Sequence, residues 1–265
     1  RVVNAIVKLY NANQCGSLVA VGGGSVIDTT KGVNIVITEG SDDLMKFAGA
    51  EMLKKPTRPF IVIPTTSGTG SEVTCVAVIS DPDRGIKMSF TSNTLYPRVA
   101  ILDPRMTLTL PPHITAATGM DALTHAVEAF ISLQKNPMSD SYAWKAIQTI
   151  RANLMNVVKN GSDKEGRLAL ANASTMAGIA FSNAMVGVVH NLGHATGGVC
   201  HVPHGVAMNI YLPVGLEYNL PKAAAEIGEL LLPLGGPEEY AHTPVEKRAE
   251  RVIVLIRAMK DELYD

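Results

Sequence analysis

The sequence SLVAVGGGS, residues 17–25, decides how the first half of this chain folds. Its first part, Ser17–Val21, is a short and mostly apolar run, which is typical of a buried strand. The run ends at Gly22–Ser25, where three glycines and a serine predict a tight turn. Helical spacing follows the turn, on a face formed by Val26, Ile27, Thr30, Val33, Asn34 and Ile37. We therefore predict a strand, a glycine turn and a helix.

This arrangement directs backbone N–H groups and a helix N-terminus toward the same point, where they can bind an anion. The turn does not have the GxGxxG spacing of dinucleotide-binding motifs, and GGGS also occurs in ordinary tight turns. Phosphate binding and a purely structural turn are equally consistent with this stretch taken alone.

A second buried strand is predicted at Pro59–Ile63, and it runs into the sequence PTTSGTGSE, residues 64–72. Hydroxyl side chains and glycines dominate this loop. They suit a ligand with many hydrogen-bonding oxygens, such as a pyrophosphate and a ribose. The alternative is a Ser/Thr-rich surface loop or helix cap.

Other elements alternate between strand and helix. A helix is predicted at Asn4–Asn13, a hairpin at residues 74–80 and 86–91 around the turn DPDRG, and a strand at Arg98–Leu102. Lys87 projects from the hairpin, and the default expectation for such a lysine is solvation. The alternation predicts a doubly wound, mostly parallel α/β domain. Ligands of such a domain bind beyond the carboxyl ends of the strands, where both glycine-rich turns lie.

The composition changes at Pro111 and Pro112, after which alanine-rich helical patterns replace the strand signals. We predict two domains: residues 1–111 form the nucleotide-binding α/β domain, and residues 112–265 form a helical domain. The helices predicted in the second domain are Thr115–Leu133, Asp140–Val158, Glu165–Asn183, Pro221–Leu231 and Pro244–Leu263.

The second domain contains a concentration of histidines in VHNLGHATGGVCHVPHGV, residues 189–206. Four of the seven histidines of the chain lie there: His190, His194, His201 and His204. Upstream, Asp121 and His125 stand four residues apart, so on a helix they share one face. An isolated Asp–His pair is more typical of a hydrogen-bonded core pair, but the two clusters together favour a metal site.

The spacing leaves open which of the four later histidines bind the metal. One carboxylate with three imidazoles suits Fe(II) or Zn(II) and is too rich in nitrogen for Mg(II) or Ca(II). Four protein ligands also leave a coordination position open for substrate.

The overall composition excludes several classes of partner. The 265 residues are 46% hydrophobic and 18% charged, with a formal net charge of −1 and 5% aromatic residues. This balance gives no reason to expect nucleic acid or an anionic membrane surface as a partner. No run reaches the ~18 apolar residues of a membrane span. Three widely spaced cysteines without a CxxC pair predict reduced thiols in a cytoplasmic protein.

Four motifs occur here in the order found in one enzyme family. They are GGGSxxD at 22–28, PTTSGTGSE at 64–72, GMDALTHAVE at 119–128 and HxxxHx9HG at 190–205. Across nearly its whole length the chain resembles the iron-containing (group III) alcohol dehydrogenases. The resemblance implies an N-terminal dinucleotide-binding domain and an all-helical metal-binding domain, as in dehydroquinate synthase-like folds, with the metal in the cleft between them. It also implies cytoplasmic homodimers or higher homo-oligomers.

The resemblance assigns roles to individual residues. The implied metal ligands are Asp121, His125, His190 and His204. The implied cofactor contacts are Gly23, Gly24, Ser25, Asp28, Thr65, Thr66, Thr69, Lys87 and His194. It places His194 beside the nicotinamide, where this residue would act in catalysis by relaying the alcohol proton. The alternative is that His194 only shapes the pocket.

The implied reaction interconverts a primary alcohol and its aldehyde, with hydride passed to or from NAD or NADP. Fe(II) is the expected metal and Zn(II) the alternative. Family members begin with another strand and helix before the position of Arg1 and continue beyond Asp265, so we expect a chain trimmed at both ends. The alternatives are a zinc-dependent, glycerol-dehydrogenase-like enzyme and a catalytically silent nucleotide-binding or assembly subunit.

Overall fold

A computed structural model describes residues 2–81 and 83–264. Its first part contains two helices and six strands. The helices are α1 (Val2–Ala12) and α2 (Gly24–Glu39). The strands are β1 (Leu18–Gly22), β2 (Gly49–Ala50), β3 (Phe60–Pro64), β4 (Val76–Asp81), β5 (Ile86–Thr91) and β6 (Val99–Ala100). The predicted strand, glycine turn and helix at residues 17–39 are confirmed.

The strands form two small sheets. In the first, β3 lies between β1 and β6, and all three strands are parallel. In the second, β5 lies between β2 and β4, and β4 and β5 form the predicted antiparallel hairpin. Parallel pairing brings the carboxyl ends of β1 and β3 to the same edge. The turn after Gly22 and the loop after Pro64 therefore lie side by side, and the N–H of Thr65 donates to the carbonyl of Gly22.

Helix α2 is fixed to the hairpin by a fully buried lysine. The Nζ of Lys31 donates to five oxygens, which belong to Ser71, Thr74 and Val76, at 2.8–3.0 Å. One turn earlier, Asp28 accepts from the hydroxyl of Ser71 at 2.6 Å and from the N–H of Val78 at 2.9 Å. These bonds hold the helix, the end of the 64–72 loop and β4 as one unit.

The second part of the chain is helical. Its helices are α3 (Pro112–Ile131), α4 (Pro137–Lys159), α5 (Lys164–Ala184), α6 (Val188–Val199), α7 (His204–Glu229), α8 (Leu231–Gly235), α9 (Pro237–His242) and α10 (Arg248–Tyr264). Helix α3 is almost wholly buried because its small side chains let α4, α5 and α7 pack closely around it. The side chain of Asn136 caps α4 in a capping box with Ser139, and Asp163 caps α5. The predicted α/β part followed by an all-helical part is confirmed.

Two helices differ from the predictions. Helix α6 is not among the predicted helices, and it is continuous through three glycines. The helix predicted to begin at Pro221 is the end of α7, which begins at His204 and continues through Pro213 and Pro221. A proline inside a helix removes a hydrogen bond and clashes with the preceding turn, and α7 departs from helical geometry at Ala223, two residues after Pro221.

The predicted strand at Arg98–Leu102 is reduced to β6, which has two residues. In the described residues, the last strand ends at Ala100 and α3 begins at Pro112. The division into residues 1–111 and 112–265 stays a prediction. Contacts cross it: the Thr175 hydroxyl of α5 donates to the buried Glu72 carboxylate at 2.7 Å.

Candidate metal centre

Three helices bring the predicted metal ligands to one place. Helix α3 carries Asp121 and His125 four residues apart on one buried face. Helix α6 carries His190 in its first turn, and α7 begins at His204. Pro203 precedes α7 as its N-cap residue, and its extended backbone turns the chain so that His204 points back toward α3.

The carboxylate of Asp121 is the centre of this cluster. Its Oδ1 lies 3.4 Å from Nε2 of His204, 3.8 Å from Nε2 of His190 and 3.8 Å from Nδ1 of His125. Donor atoms of Asp121, His190 and His204 all lie within 4.8 Å of one another. His125 is not part of this group of three, in which every pair of donor atoms lies within 4.8 Å, although its Nδ1 is close to Asp121.

The same atoms lack hydrogen-bond partners. Asp121 Oδ1, His125 Nδ1 and His190 Nε2 are buried and make no hydrogen bond. A buried polar atom without a partner destabilises a fold by about 1–3 kcal/mol. Three such atoms in one cluster would lower the stability of the fold considerably unless a cation lay between them. The donor set and its unsatisfied atoms therefore fit a divalent metal with borderline-soft preferences.

Electrostatics in the cluster favour an ionised Asp121. Burial alone would raise the pKa of the Asp121 carboxyl, but the surrounding imidazoles, His125 foremost, hold it well below its usual range. Burial, reinforced by His190, lowers the pKa of His125 to about 3, so this ring is neutral at pH 7. A metal could therefore bind it without displacing a proton.

His190 behaves differently. Burial opposes its charged form, but the carboxylates of Asp121 and Glu128 outweigh burial and raise the pKa of His190 to about 9. At neutral pH a metal would therefore have to displace a proton from this ring.

The ring of His125 is held by stacking. Its centroid lies 4.4 Å from that of Phe181, with the planes 18° apart, and 4.2 Å from that of His190. Phe181 thus forms one wall of the cluster. No sequence pattern singled out this residue, since its position on α5 is typical of a core aromatic.

His194 lies beside the cluster and outside its closest group. Its ring centroid is 5.1 Å from that of His204 and 6.0 Å from that of His190. Burial and the nearby His204 lower the pKa of His194 to about 3, so the ring is neutral at pH 7. The same low pKa makes the ring a weak base, so it would hold a proton only briefly.

Lys87 extends from β5 toward α6. A Cβ at Gly197 would lie 2.9 Å from its Nζ, so the glycine makes room for the lysine. The side chain is half-buried, and burial lowers the pKa of Lys87. His201, in contrast, is exposed in the turn between α6 and α7, with a left-handed φ of 56°.

Glu128 is a buried member of the site that sequence reasoning missed. Its carboxylate accepts hydrogen bonds from Nδ1 of His190 at 2.5 Å and from the N–H of Val189 at 2.7 Å. A weak signal was present, because Glu128 follows Asp121 by seven residues and His125 by three. These spacings place all three on one helical face.

The predicted nucleotide turn lies at the N-terminus of α2. Gly23 is the N-cap in an extended conformation, and no side chain caps the helix. Cβ atoms at Gly23 and Gly24 would lie 3.0 Å from Thr66 and 2.5 Å from Thr69, so both glycines allow the 64–72 loop to approach the turn. This leaves backbone N–H groups and threonine hydroxyls at the edge of the sheet, where a pyrophosphate could bind.

Three other predicted contacts have different surroundings. Ser25 is exposed, Thr65 is half-buried, and both oxygens of Asp28 are engaged by Ser71 and Val78. Asp28 thus holds the turn against the hairpin. The cofactor contacts as a group stay a prediction.

Two protein-family models match the chain. The model described as iron-containing alcohol dehydrogenase matches residues 1–104. The model described as the C-terminal part of the Fe-containing alcohol dehydrogenase family matches residues 115–263. Together they account for almost all of the sequence.

Individual proteins of known name are similar as well. Alcohol dehydrogenase 4 of Saccharomyces cerevisiae is 40% identical over 239 residues, which cover 89% of this chain and 62% of the yeast protein. A solved alcohol dehydrogenase from Oenococcus oeni superposes with a TM-score of 0.95 at 37% identity, covering 99% of this chain and 68% of that one. The chain thus spans about three fifths of the yeast relative's length.

One solved relative contains a nicotinamide cofactor. The sulfoacetaldehyde reductase from Bifidobacterium kashiwanohense was solved in complex with NAD+. It superposes with a TM-score of 0.87 at 31% identity, covering 99% of this chain and 67% of the reductase. The fold described above is therefore shared with a chain that binds NAD+.

Proposed function

This chain belongs to the iron-containing alcohol dehydrogenase family, and on that premise we propose that it interconverts a primary alcohol and its aldehyde with NAD or NADP. The observation that carries the proposal is the meeting of Asp121, His190 and His204, with unsatisfied donor atoms, beside a glycine turn at a helix N-terminus. A metal site and a phosphate site in one protein are what metal-dependent hydride transfer requires.

Four side chains would hold the metal: Asp121, His125, His190 and His204. Fe(II) is the metal we propose, because the family is iron-containing and the donors suit it. Zn(II) suits the same donors. When bound, such an ion supplies Lewis-acid stabilisation of the negative charge that develops on the substrate oxygen.

The first half of the chain would hold the cofactor. Gly23, Gly24 and Ser25 offer backbone N–H groups at the uncapped start of α2, which attract the pyrophosphate. Asp28 keeps the turn in place, and Thr65, Thr66 and Thr69 supply hydroxyls from the neighbouring loop. Lys87, on β5, lies on the side of the site that faces α6.

His194 is the proposed catalytic residue. Its ring stacks near His204 at the edge of the cluster, where it can relay the proton that the alcohol hydroxyl loses. Because its pKa is low, the ring would hold that proton only transiently. It would also border the nicotinamide.

We also propose that the protein works in the cytoplasm as a homodimer or higher homo-oligomer. All three cysteines are free, which suits a reducing compartment. None of the helices in the described residues has the length and apolar character needed to cross a membrane.

Aldehyde reduction by the purified chain tests the proposal. The protein is loaded anaerobically with Fe(II) or Zn(II), mixed with NADH or NADPH and butyraldehyde, and followed by loss of cofactor absorbance. We expect turnover only with metal, and butanol as the product. Binding of both metal and cofactor without turnover of primary aldehydes would contradict the activity and favour a silent nucleotide-binding module.

A further inference from the structure

The Glu128 carboxylate joins two helices that are far apart in the sequence. It lies on α3 with its side chain 2% exposed. Oε1 accepts from the N–H of Val189, and Oε2 accepts from both the N–H and the ring Nδ1 of His190, 62 residues away. All three donors belong to the first turn of α6, which has no side-chain cap of its own.

The chain makes room for this contact. Gly187 precedes α6 as its N-cap, and a Cβ there would lie 2.8 Å from Oε1 of Glu128. Any other residue at position 187 would push the carboxylate away from the helix. The close approach therefore depends on a glycine as well as on the glutamate.

The ring contact fixes where the proton of His190 resides. An ionised carboxylate only accepts hydrogen bonds, so Nδ1 of His190 must carry a hydrogen. Nε2 is then the one nitrogen that can offer a lone pair. It is also the nitrogen that faces Asp121 at 3.8 Å and lacks a hydrogen-bond partner.

We propose that Glu128 is a positioning residue, which sets the tautomer and the orientation of His190 so that its Nε2 binds the metal. This inference rests on the proposed function, because it assumes that the cluster holds a metal. Glu128 itself touches neither metal nor substrate. Partners of this kind raise the basicity of a histidine ligand, and their loss typically weakens metal binding 10–100-fold.

A simple helix cap would need only the two backbone contacts. The ring contact is the additional feature, so the test must remove it and keep the cap. Glu128→Gln removes it and keeps the shorter of the two cap contacts: its amide oxygen can still accept from the N–H of Val189, while its NH2 replaces Oε2 and faces His190. The variant also gives up the longer contact, at 3.3 Å, between Oε2 and the N–H of His190. A donor there forces Nδ1 to accept and moves the proton to Nε2, which then cannot ligate.

Metal affinity is the readout, measured by competition of Zn(II) or Co(II) with a chelator. We expect about 10–100-fold weaker binding in Glu128→Gln than in the wild type. Glu72→Gln is the matched control, since Glu72 is an equally buried carboxylate that bonds Thr175 and lies outside the cluster. It should bind metal as the wild type does.

The outcomes separate the two proposals. Unchanged affinity in Glu128→Gln overturns the positioning role and leaves the proposed function standing. A wild type that binds no metal overturns the proposed function itself. If Glu128→Gln does not fold, nitrogen-15 NMR of the Zn(II)-loaded wild type decides: a proton on Nδ1 of His190 supports the inference, and zinc bound at Nδ1 overturns it.

Discussion

Among single residues, His204 offers the sharpest test of the ligand set. Its Nε2 is the imidazole nitrogen nearest to Asp121 Oδ1, at 3.4 Å. His204→Ala should therefore lose metal at least as strongly as the about 10–100-fold caused by losing an outer partner. Elemental analysis after gel filtration measures this. His201→Ala is the matched control, because His201 is an exposed histidine three residues away. Equal metal content in both variants would contradict the ligand set.

Lys31 is the buried residue that joins α2 to the end of the 64–72 loop and to β4. Replacing it by Met leaves five oxygens without their donor and leaves Asp28 and Glu72 without a nearby cation. Loss of one member of a buried charge group typically costs about 3–5 kcal/mol. Urea unfolding of Lys31→Met should show a loss of this size at pH 7, and a loss under about 1 kcal/mol would contradict it.

The same pair of proteins gives a pH dependence. Burial lowers the pKa of Lys31 to about 8 from 10.5, despite Asp28, Glu72 and Cys75 nearby. Between these values the unfolded state binds more protons, so the wild type gains stability as pH rises through that window. The stability difference between the two proteins should therefore widen from pH 8 to 10.5.

The spacing of Asp121 and His125 was sufficient to predict a shared helical face, and the histidine count pointed to a metal. Glu128 could not be found in this way. Its partner is 62 residues away, and only the packing of α6 on α3 brings the two together. Residue spacing shows which side chains share a helix face, but it does not show which other element packs against that face.

At the level of elements, the sequence predicted most helices and strands within a few residues and failed where packing overrides propensity. Helix α6 has three glycines, yet each has a neighbour in the space that a side chain would need. A Cβ at Gly193 would overlap Met208, and one at Gly198 would lie 3.0 Å from the carbonyl of Gly85. The glycines there allow close packing and do not end the helix.

A glycine pair also joins the 64–72 loop to α5. Gly70, with a left-handed φ of 60°, lies against Gly178, where a Cβ would be 2.8 Å from the Gly70 carbonyl oxygen. Gly178→Ala should destabilise the protein by about 1–3 kcal/mol, as overpacking does. It should also weaken NADH binding, because the loop must move.

Urea unfolding and NADH fluorescence titration measure the two effects of Gly178→Ala. Gly16→Ala is the control, since a Cβ at Gly16 meets no atom within 4 Å. Wild-type stability in Gly178→Ala would show that the loop and α5 separate without penalty.

For the whole molecule, one face of the parallel sheet is unusually apolar and exposed. Val19 pairs with Ile61, which pairs with Val99, so these side chains form a row across the three strands. Val19, Val21, Val99 and Ile101 are 45–59% exposed. Parallel sheets normally have both faces covered. We expect this face to bind a hydrophobic dye and to promote self-association of the chain.

Changing those four residues to Thr should lower dye fluorescence and the mass seen by light scattering, with metal content unchanged. Leu133→Thr is the control, because Leu133 is a fully exposed leucine that lies outside the sheet. An equal drop in both variants would mean that the sheet face is not the binding surface.

The predicted ligands come from α3, α6 and α7, so an ion that binds them would link three helices to one another. An ion at 100 times its Kd stabilises the folded state by about 2.7 kcal/mol, and the melting temperature should rise with free metal and fall with chelator. A melting temperature that does not change when metal is added would show that the cluster binds no metal. This coupling would reach the cell: without the ion the protein would unfold more often and be degraded faster by proteases, so its abundance would follow the metal supply.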